Sequence, residues 1–160
     1  MIAGGSFGVS ADMEVTVGTA LRIDVDGAVV VLPWADDVAA RMAQVRDVVG
    51  GPADRAIYHR QAHFHVPGNG AAEGLPMNLA AWVLASQWRG MEISYGFYGP
   101  TLVTGPDRSP LSEGMAAEVR AVCAAVAEVR LEWVTRPPAG EAAARAEVLA
   151  AARHAVAALI

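Results

Sequence analysis

The chain contains no lysine, although it has 160 residues and 12 basic side chains. Every basic residue is therefore an arginine. This absence excludes a P-loop, because the lysine of that motif contacts the phosphates of a bound nucleotide. The glycine-rich run VPGNGAAEG at 66–74 consequently indicates a flexible connection and not a phosphate-binding loop.

Cysteine is nearly absent as well. Cys123 is the only one, so no disulfide can form within the chain. It lies among alanines and valines of a predicted helix, where apolar surroundings raise the pKa of a thiol and suppress the thiolate. We therefore expect a buried, inert thiol at Cys123.

A cationic surface and a long apolar run are also missing. The formal net charge of −5 argues against nucleic acid as a ligand, because phosphate binding needs a basic face. No uninterrupted run of about 18 apolar residues exists, so we expect no membrane span. The first nine residues lack the basic start of a signal peptide, which predicts a cytoplasmic protein.

Apolar residues are abundant all the same. They make up 54% of the chain, which excludes intrinsic disorder for most of it and leaves apolar surface for a partner or an oligomer.

The spacing of the apolar residues predicts strands over 14–25, 28–32, 55–66, 92–98, 101–104 and 131–134, and helices over 35–49, 76–89, 112–129 and 141–160. This order favours one α/β domain over 1–160, with a layered, largely parallel or mixed sheet and a linker at 137–140 before a C-terminal helix.

Three histidines lie at alternate positions of the predicted strand 55–66. If that strand is continuous, His59, His63 and His65 face one side of the sheet. His63 and His65 would then be about 6–7 Å apart, which suits two ligands of one metal ion. Either His59 or Glu73 would supply the third ligand. We expect no stoichiometric metal, because zinc needs at least three well-fixed protein ligands, and the alternative is a wet sheet face or an interface.

A serine nucleophile is another grouping that the residues leave open. Ser109 lies on a predicted turn, Asp107 is near it in sequence, and a histidine of the strand would complete a triad. The G-x-S-x-G motif is absent, however, because Arg108 and Pro110 flank the serine. Geometry alone defines a triad, so only the folded chain tests this grouping.

The aromatic residues of the middle of the chain have two interpretations. Core packing is the default for such side chains, and the alternative is an apolar tunnel that they line. Tyr95 and Phe97 would share one face of the predicted strand 92–98. The group consists of Trp82, Trp88, Tyr95, Phe97 and Tyr98.

The stretch 96–134 contains a Gly-Pro entry, a short apolar strand, a tight turn, a long alanine-rich helix and another short strand. This order resembles the nucleophile-elbow region of the β-ketoacyl synthases, in the thiolase superfamily. The stretch 28–51 resembles an inner strand and helix of the same N-terminal half. The resemblance covers half to two-thirds of the chain and implies a thiolase-like half. The position of that family's cysteine falls near Arg108 in this chain, and no cysteine lies there.

A condensing synthase needs a thiolate to take the acyl group, so we expect no condensing activity from this chain alone. The resemblance implies a non-catalytic subunit similar to a chain-length factor, without a cofactor, in polyketide or fatty-acid-type biosynthesis. It implies a homodimer or a heterodimer with a ketosynthase, and an acyl carrier protein as a further partner. The implied tunnel or elbow residues are Phe97, Tyr98, Thr104, Arg108 and Ser109, and the implied interface residues are Gly99, Thr101, Leu102 and Val103.

Two other function classes remain open at this stage. One is a small metal-binding protein or metalloenzyme that uses the strand of His59, His63 and His65. The other is an interaction or immunity-type protein without a small-molecule site. A bound-metal assay separates the first class from the others, and co-purification with a synthase supports the subunit interpretation.

Overall fold

The computed structural model describes residues 18–160. The first four residues of the strand predicted at 14–25 lie outside that part of the chain. In the described part, five strands form one sheet and four α-helices cover it. The strands are β1 (Thr19–Ile23), β2 (Val29–Pro33), β3 (Ala53–His59), β4 (Ala62–Pro67) and β5 (Thr101–Thr104). The helices are α1 (Val38–Val49), α2 (Leu79–Arg89), α3 (Glu113–Thr135) and α4 (Glu141–Ala157).

The sheet has the order β2-β1-β5-β4-β3, and each pair of neighbours is antiparallel. The predicted α/β class is confirmed, but the expectation of a parallel or mixed sheet is wrong. The two hairpins β1-β2 and β3-β4 have short turns that reverse the chain. The connection from β4 to β5 contains α2, but it starts and ends at the same end of the sheet. Residues 90–98 bring the chain back to that end after the helix. We call residues 90–98 the return segment.

Three of the predicted strands are not single strands in the structure. The stretch 55–66 is a hairpin, because the turn at Arg60 and Gln61 separates β3 from β4. The stretch 92–98 is irregular and has a single bridge, between Met77 and Tyr98. The stretch 131–134 is the end of α3, where Leu131 and Val134 are exposed on a helix that continues past the predicted stop.

Helices cover both faces of the sheet, and the two layers differ in size. The larger core joins Ile23, Phe64 and Val103 of the sheet to buried residues of α2, α3 and α4. The smaller core joins Ala20 and Leu102 to Trp34 and α1. The prediction that the second and the fifth strands share one sheet, with the long helix in the same core, is therefore confirmed.

Strand β5 lies in the middle of the sheet, which conflicts with its predicted role as an interface. It pairs with β1 on one side and β4 on the other, and Thr101, Leu102 and Val103 are fully buried. Gly99, just before the strand, is buried as well. These residues are not accessible to a second chain, so a dimer contact at this strand would require the sheet to open.

The side chain of Asn78 connects three parts of the fold. It is 0% exposed and precedes α2, where its Oδ1 accepts from the Ala81 N–H at 3.1 Å. Its Nδ2 donates to the carbonyl oxygen of Ile23 at 2.9 Å and to that of Gly99 at 3.0 Å. Its own N–H donates to the carbonyl oxygen of Phe97 at 2.7 Å. One residue thus holds the end of β1, the start of α2 and the return segment together.

Replacing Asn78 with aspartate tests this role. An aspartate at this position keeps the helix cap but cannot donate, so two buried carbonyls lose their partner and a carboxylate is buried beside them. We expect Asn78→Asp to lower the free energy of unfolding by about 3 kcal/mol or more. The measurement is equilibrium unfolding in urea.

The matched control is the opposite change at the exposed cap of α1. Asp37 accepts from the Ala40 N–H at 2.8 Å, and asparagine caps a helix about as well as aspartate. We expect Asp37→Asn to change the free energy of unfolding by less than about 0.5 kcal/mol. Equal effects of the two changes would contradict the role of Asn78.

Candidate functional site

The structure divides the predicted tunnel or elbow residues between two places. Thr104, Arg108 and Ser109 lie at the end of β5, next to His63 and His65. Phe97 and Tyr98 belong to the return segment, where Phe97 is part of the larger core. The five residues therefore do not line one tunnel.

The turn after β5 has an unusual backbone. Asp107 and Arg108 both have positive φ angles, of 54° and 64°. These angles lie in the left-handed region, which is unfavourable for residues that have a Cβ atom. The turn is closed by a hydrogen bond of 2.8 Å from the N–H of Gly105 to the carbonyl oxygen of Ser109. The indole N–H of Trp34 donates to the carbonyl oxygen of Arg108 at 2.7 Å. A buried tryptophan thus holds Arg108 in its left-handed conformation.

The serine triad that the sequence left open is not assembled here. The hydroxyl of Ser109 donates to the carbonyl oxygen of Pro106 at 2.6 Å, within its own turn. The carboxylate of Asp107 lies 3.5 Å from the guanidinium of Arg55, and only its backbone N–H contacts a histidine. The serine hydroxyl and the carboxylate are therefore both engaged elsewhere.

His63 and His65 lie on the α1 face of the sheet and are 7% and 3% exposed. The Nε2 of His65 is 2.9 Å from the Oγ1 of Thr104, whose hydroxyl donates to the carbonyl oxygen of Gly105 at 2.8 Å. Since the threonine proton is engaged, His65 carries a proton on Nε2 and donates it to Thr104. This bond positions the imidazole and does not activate the threonine as a nucleophile.

His59 does not join the other two histidines. The register of the β3-β4 pair shifts between Ile57 and His59, and the ring of His59 lies 5.6 Å from that of Trp88 on α2. The prediction of three histidines on one face is wrong because it assumed a continuous strand. In residues 18–160 no three His, Cys, Asp or Glu side chains are grouped to hold a metal ion.

Burial changes the pKa of two histidines and of the cysteine. Burial lowers the pKa of His65 to about 4, and the charges of Arg108 and Arg55 add to this effect. Burial and Arg55 lower the pKa of His63, while Asp107 opposes the change. Cys123 is buried as expected, and burial raises the pKa of its thiol to about 12. At neutral pH the two imidazoles and the thiol are therefore uncharged.

The return segment forms the second candidate region. Ile93 is buried, and its N–H donates to the hydroxyl of Ser86 at 3.1 Å, while the indole of Trp82 donates to its carbonyl oxygen at 2.9 Å. Tyr95 follows this anchor and is 55% exposed, with its hydroxyl 2.5 Å from that of Tyr58. A surface tyrosine thus follows a fixed backbone anchor at Ile93 and is held at its hydroxyl.

Two grooves flank the return segment. The helix groove, of about 470 Å³, lies between the return segment and α4, and an ion pair of 2.7 Å between Glu92 and Arg145 lies at its side. The strand groove, of about 800 Å³, lies between the return segment and β3, with Asp54 among its lining residues. The helix groove has mostly apolar walls, formed by Met77, Leu79, Trp82, Tyr98, Trp133 and Val148.

Sequence reasoning missed part of this region. It assigned Tyr95 and Phe97 to one strand face, and their rings are indeed 5.9 Å apart, but only Phe97 is buried. The glycines at 90 and 96 are the signal against a regular strand in this stretch. The contributions of Met77 and Trp133 had no local signal, because distant parts of the chain bring them together.

No family model, curated protein or solved structure matches the chain. The likeness to β-ketoacyl synthases therefore rests on the residues that suggest it and on nothing else. Among the helices of residues 18–160, none combines the length and the apolar character needed to cross a bilayer.

The lowered pKa of His65 predicts that acid destabilises the protein. The unfolded chain binds a proton near the ordinary pKa of about 6.5, and the folded chain binds it only near pH 4. The contribution of His65 to the free energy of unfolding is therefore present above pH 6.5 and is lost as the pH falls towards 4. The total loss is about 3 kcal/mol. Urea unfolding across this range measures the loss.

His65→Gln isolates the contribution of this residue. A glutamine amide can still donate to Thr104 but does not titrate. We expect the variant to lose less stability between pH 6.5 and 4 than the unchanged protein, with the lowered pKa values of His63 and Glu147 contributing to the remainder. An identical pH dependence in both proteins would show that His65 does not carry the effect.

Proposed function

We propose that this chain is a non-catalytic subunit that binds another protein through the surface around Tyr95. The Tyr95 surface consists of Tyr95, Met77, Tyr98 and the walls of the helix and strand grooves. The observation that carries the proposal is an exposed tyrosine that lies between two grooves with its hydroxyl bonded to that of Tyr58.

The chemistry of this surface is typical of a protein interface. Tyrosine, tryptophan and methionine are enriched at interfaces, and a few such anchors supply most of the binding energy. Met77 is 43% exposed beside Tyr95, and Met91 of the return segment is exposed too. The bond between the hydroxyls of Tyr95 and Tyr58 removes side-chain freedom before binding, which lowers the entropic cost of association.

The titratable groups near the grooves favour binding over catalysis. Glu92 is engaged with Arg145 at 2.7 Å. Burial and the hydrogen bond with Tyr95 raise the pKa of Tyr58, so its hydroxyl stays protonated. His63 and His65 lie on the opposite face of the sheet. Of the groups that line the two grooves, Glu92 and Tyr58 are thus engaged with other side chains.

The first partner to test is a ketosynthase, since this is the class that the sequence resemblance implies. The proposal moves the contact from the buried strand β5 to the Tyr95 surface. A second copy of the chain would make the same surface a homodimer contact. An interaction or immunity-type role would use this surface for a partner outside biosynthesis.

Tyr95→Arg tests the surface. The change removes the hydroxyl contact with Tyr58 and places a charge between two grooves, so we expect affinity for the partner to fall by about 30-fold or more, as for an interface hot spot. Binding is measured by biolayer interferometry with a purified β-ketoacyl synthase, and self-association by light scattering. Circular dichroism checks that the variant is folded.

Val31→Arg is the matched control, because Val31 is exposed on the edge strand β2, away from the grooves. We expect it to bind as the unchanged protein does. Loss of binding in the control together with full binding by Tyr95→Arg would place the contact on the other edge of the sheet. Absence of any ketosynthase binding would refute this partner class.

A further inference from the structure

The face of the sheet opposite the larger core carries a cluster of nitrogen-containing side chains that the proposed function does not use. Arg55 of β3 is the register partner of His65 on β4, so their side chains leave the sheet on the same side. His63 lies two residues before His65 and pairs with Thr104. Arg108 belongs to the turn that follows. The nitrogen cluster is defined as Arg55, His63, His65 and Arg108.

The strand register and one hydrogen bond bring the cluster together, because Arg55 lies opposite His65 and Asp107, next to Arg108, donates its N–H to His63 at 3.3 Å. Arg108 and Arg55 both lower the pKa of His65, and Arg55 also lowers that of His63. A charge has such an effect only at short range, because solvent screens distant groups. These directions agree with the placement of Arg55 beside both histidines and of Arg108 on the side of His65.

The cluster has more positive than negative charge, although the whole chain is acidic. Asp107 is the carboxylate that faces it, and its contact with Arg55 is long, 3.5 Å, and exposed. Among residues 18–160, no carboxylate lies within 4 Å of the guanidinium of Arg108. Two arginines and one aspartate leave a local charge of +1, which attracts an anion.

The hydrogen bonds of the cluster orient its donors. The backbone N–H of Asp107 donates to the Nδ1 of His63 at 3.3 Å, so the neutral ring of His63 carries its proton on Nε2. Trp34 fixes the carbonyl of Arg108 and thereby the left-handed turn from which this arginine extends. Strained backbone of this kind occurs where a structure positions a side chain for a ligand.

We propose that Arg55, Arg108 and the Nε2–H of His63 form a binding site for a phosphate-type dianion, either free phosphate or the phosphate group of a small metabolite. Guanidinium groups fit this ligand because their planar forks donate two hydrogen bonds to one oxyanion. The bound charge stabilises the protonated imidazole, so anion binding and protonation of His63 strengthen each other.

The test follows the histidine ring signals by NMR during pH titrations with inorganic phosphate, against sodium chloride at equal ionic strength. We expect phosphate to raise the pKa of His63 and the thermal midpoint of unfolding. Arg55→Gln and Arg108→Gln should each weaken phosphate binding at least tenfold. Arg60→Gln, in the exposed turn between β3 and β4, should bind phosphate as the unchanged protein does.

Arg108→Gly separates binding from folding. Glycine adopts a φ of 64° without strain, so the thermal midpoint without phosphate should not fall, while the phosphate effect should disappear. Tighter binding of phenyl phosphate than of inorganic phosphate would assign the site to a metabolite ester, and the reverse order to the free ion. The proposal is overturned if His63 responds to phosphate no more than to chloride, or if the response persists in the Arg55→Gln, Arg108→Gln double variant.

Discussion

The buried amide of Asn78 is the constraint on which the arrangement of this fold depends. A connection between the antiparallel neighbours β4 and β5 must bring the chain back to the end of the sheet where β4 stops. Helix α2 takes the chain away from that end, and the return segment brings it back without the regular hydrogen bonds of a paired strand. Its polar backbone groups therefore need other partners. Asn78 accepts from the first turn of α2 and donates to Ile23 and Gly99, and thereby joins helix, sheet and return segment.

The two faces of the sheet acquire different chemistry from this arrangement. On the side of the larger core, the return segment exposes Tyr95 between two grooves. On the side of α1, the turn after β5 places Arg108 near His63 and His65. The sheet therefore separates the proposed protein-binding surface from the proposed anion site. The fully buried strand β5 serves both regions as a support and not as a contact surface.

Local signals predicted much of the secondary structure. Asp26-Gly27, a typical two-residue turn pair, lies between β1 and β2, and Asp37 and Ser112, typical capping residues, cap α1 and α3. Sequence periodicity failed where tertiary contacts decide. The register shift before His59 depends on pairing with β4, and the end of α3 depends on packing against α4. The helix groove combines parts of the chain that are up to 71 residues apart, from Met77 to Val148, and such proximity has no local signal.

The central claim is that the Tyr95 surface is formed and rigid before any partner binds. Native-state hydrogen exchange tests it most directly, through the amides of Asn78, Ile93 and Gly99, which hold the return segment by bonds to Phe97, Ser86 and Pro76. The account predicts that these amides exchange within about tenfold of the buried amides of α2, because the segment opens only when the core does. Exchange of all three amides at the rate of an unstructured chain, while α2 stays protected, would contradict it.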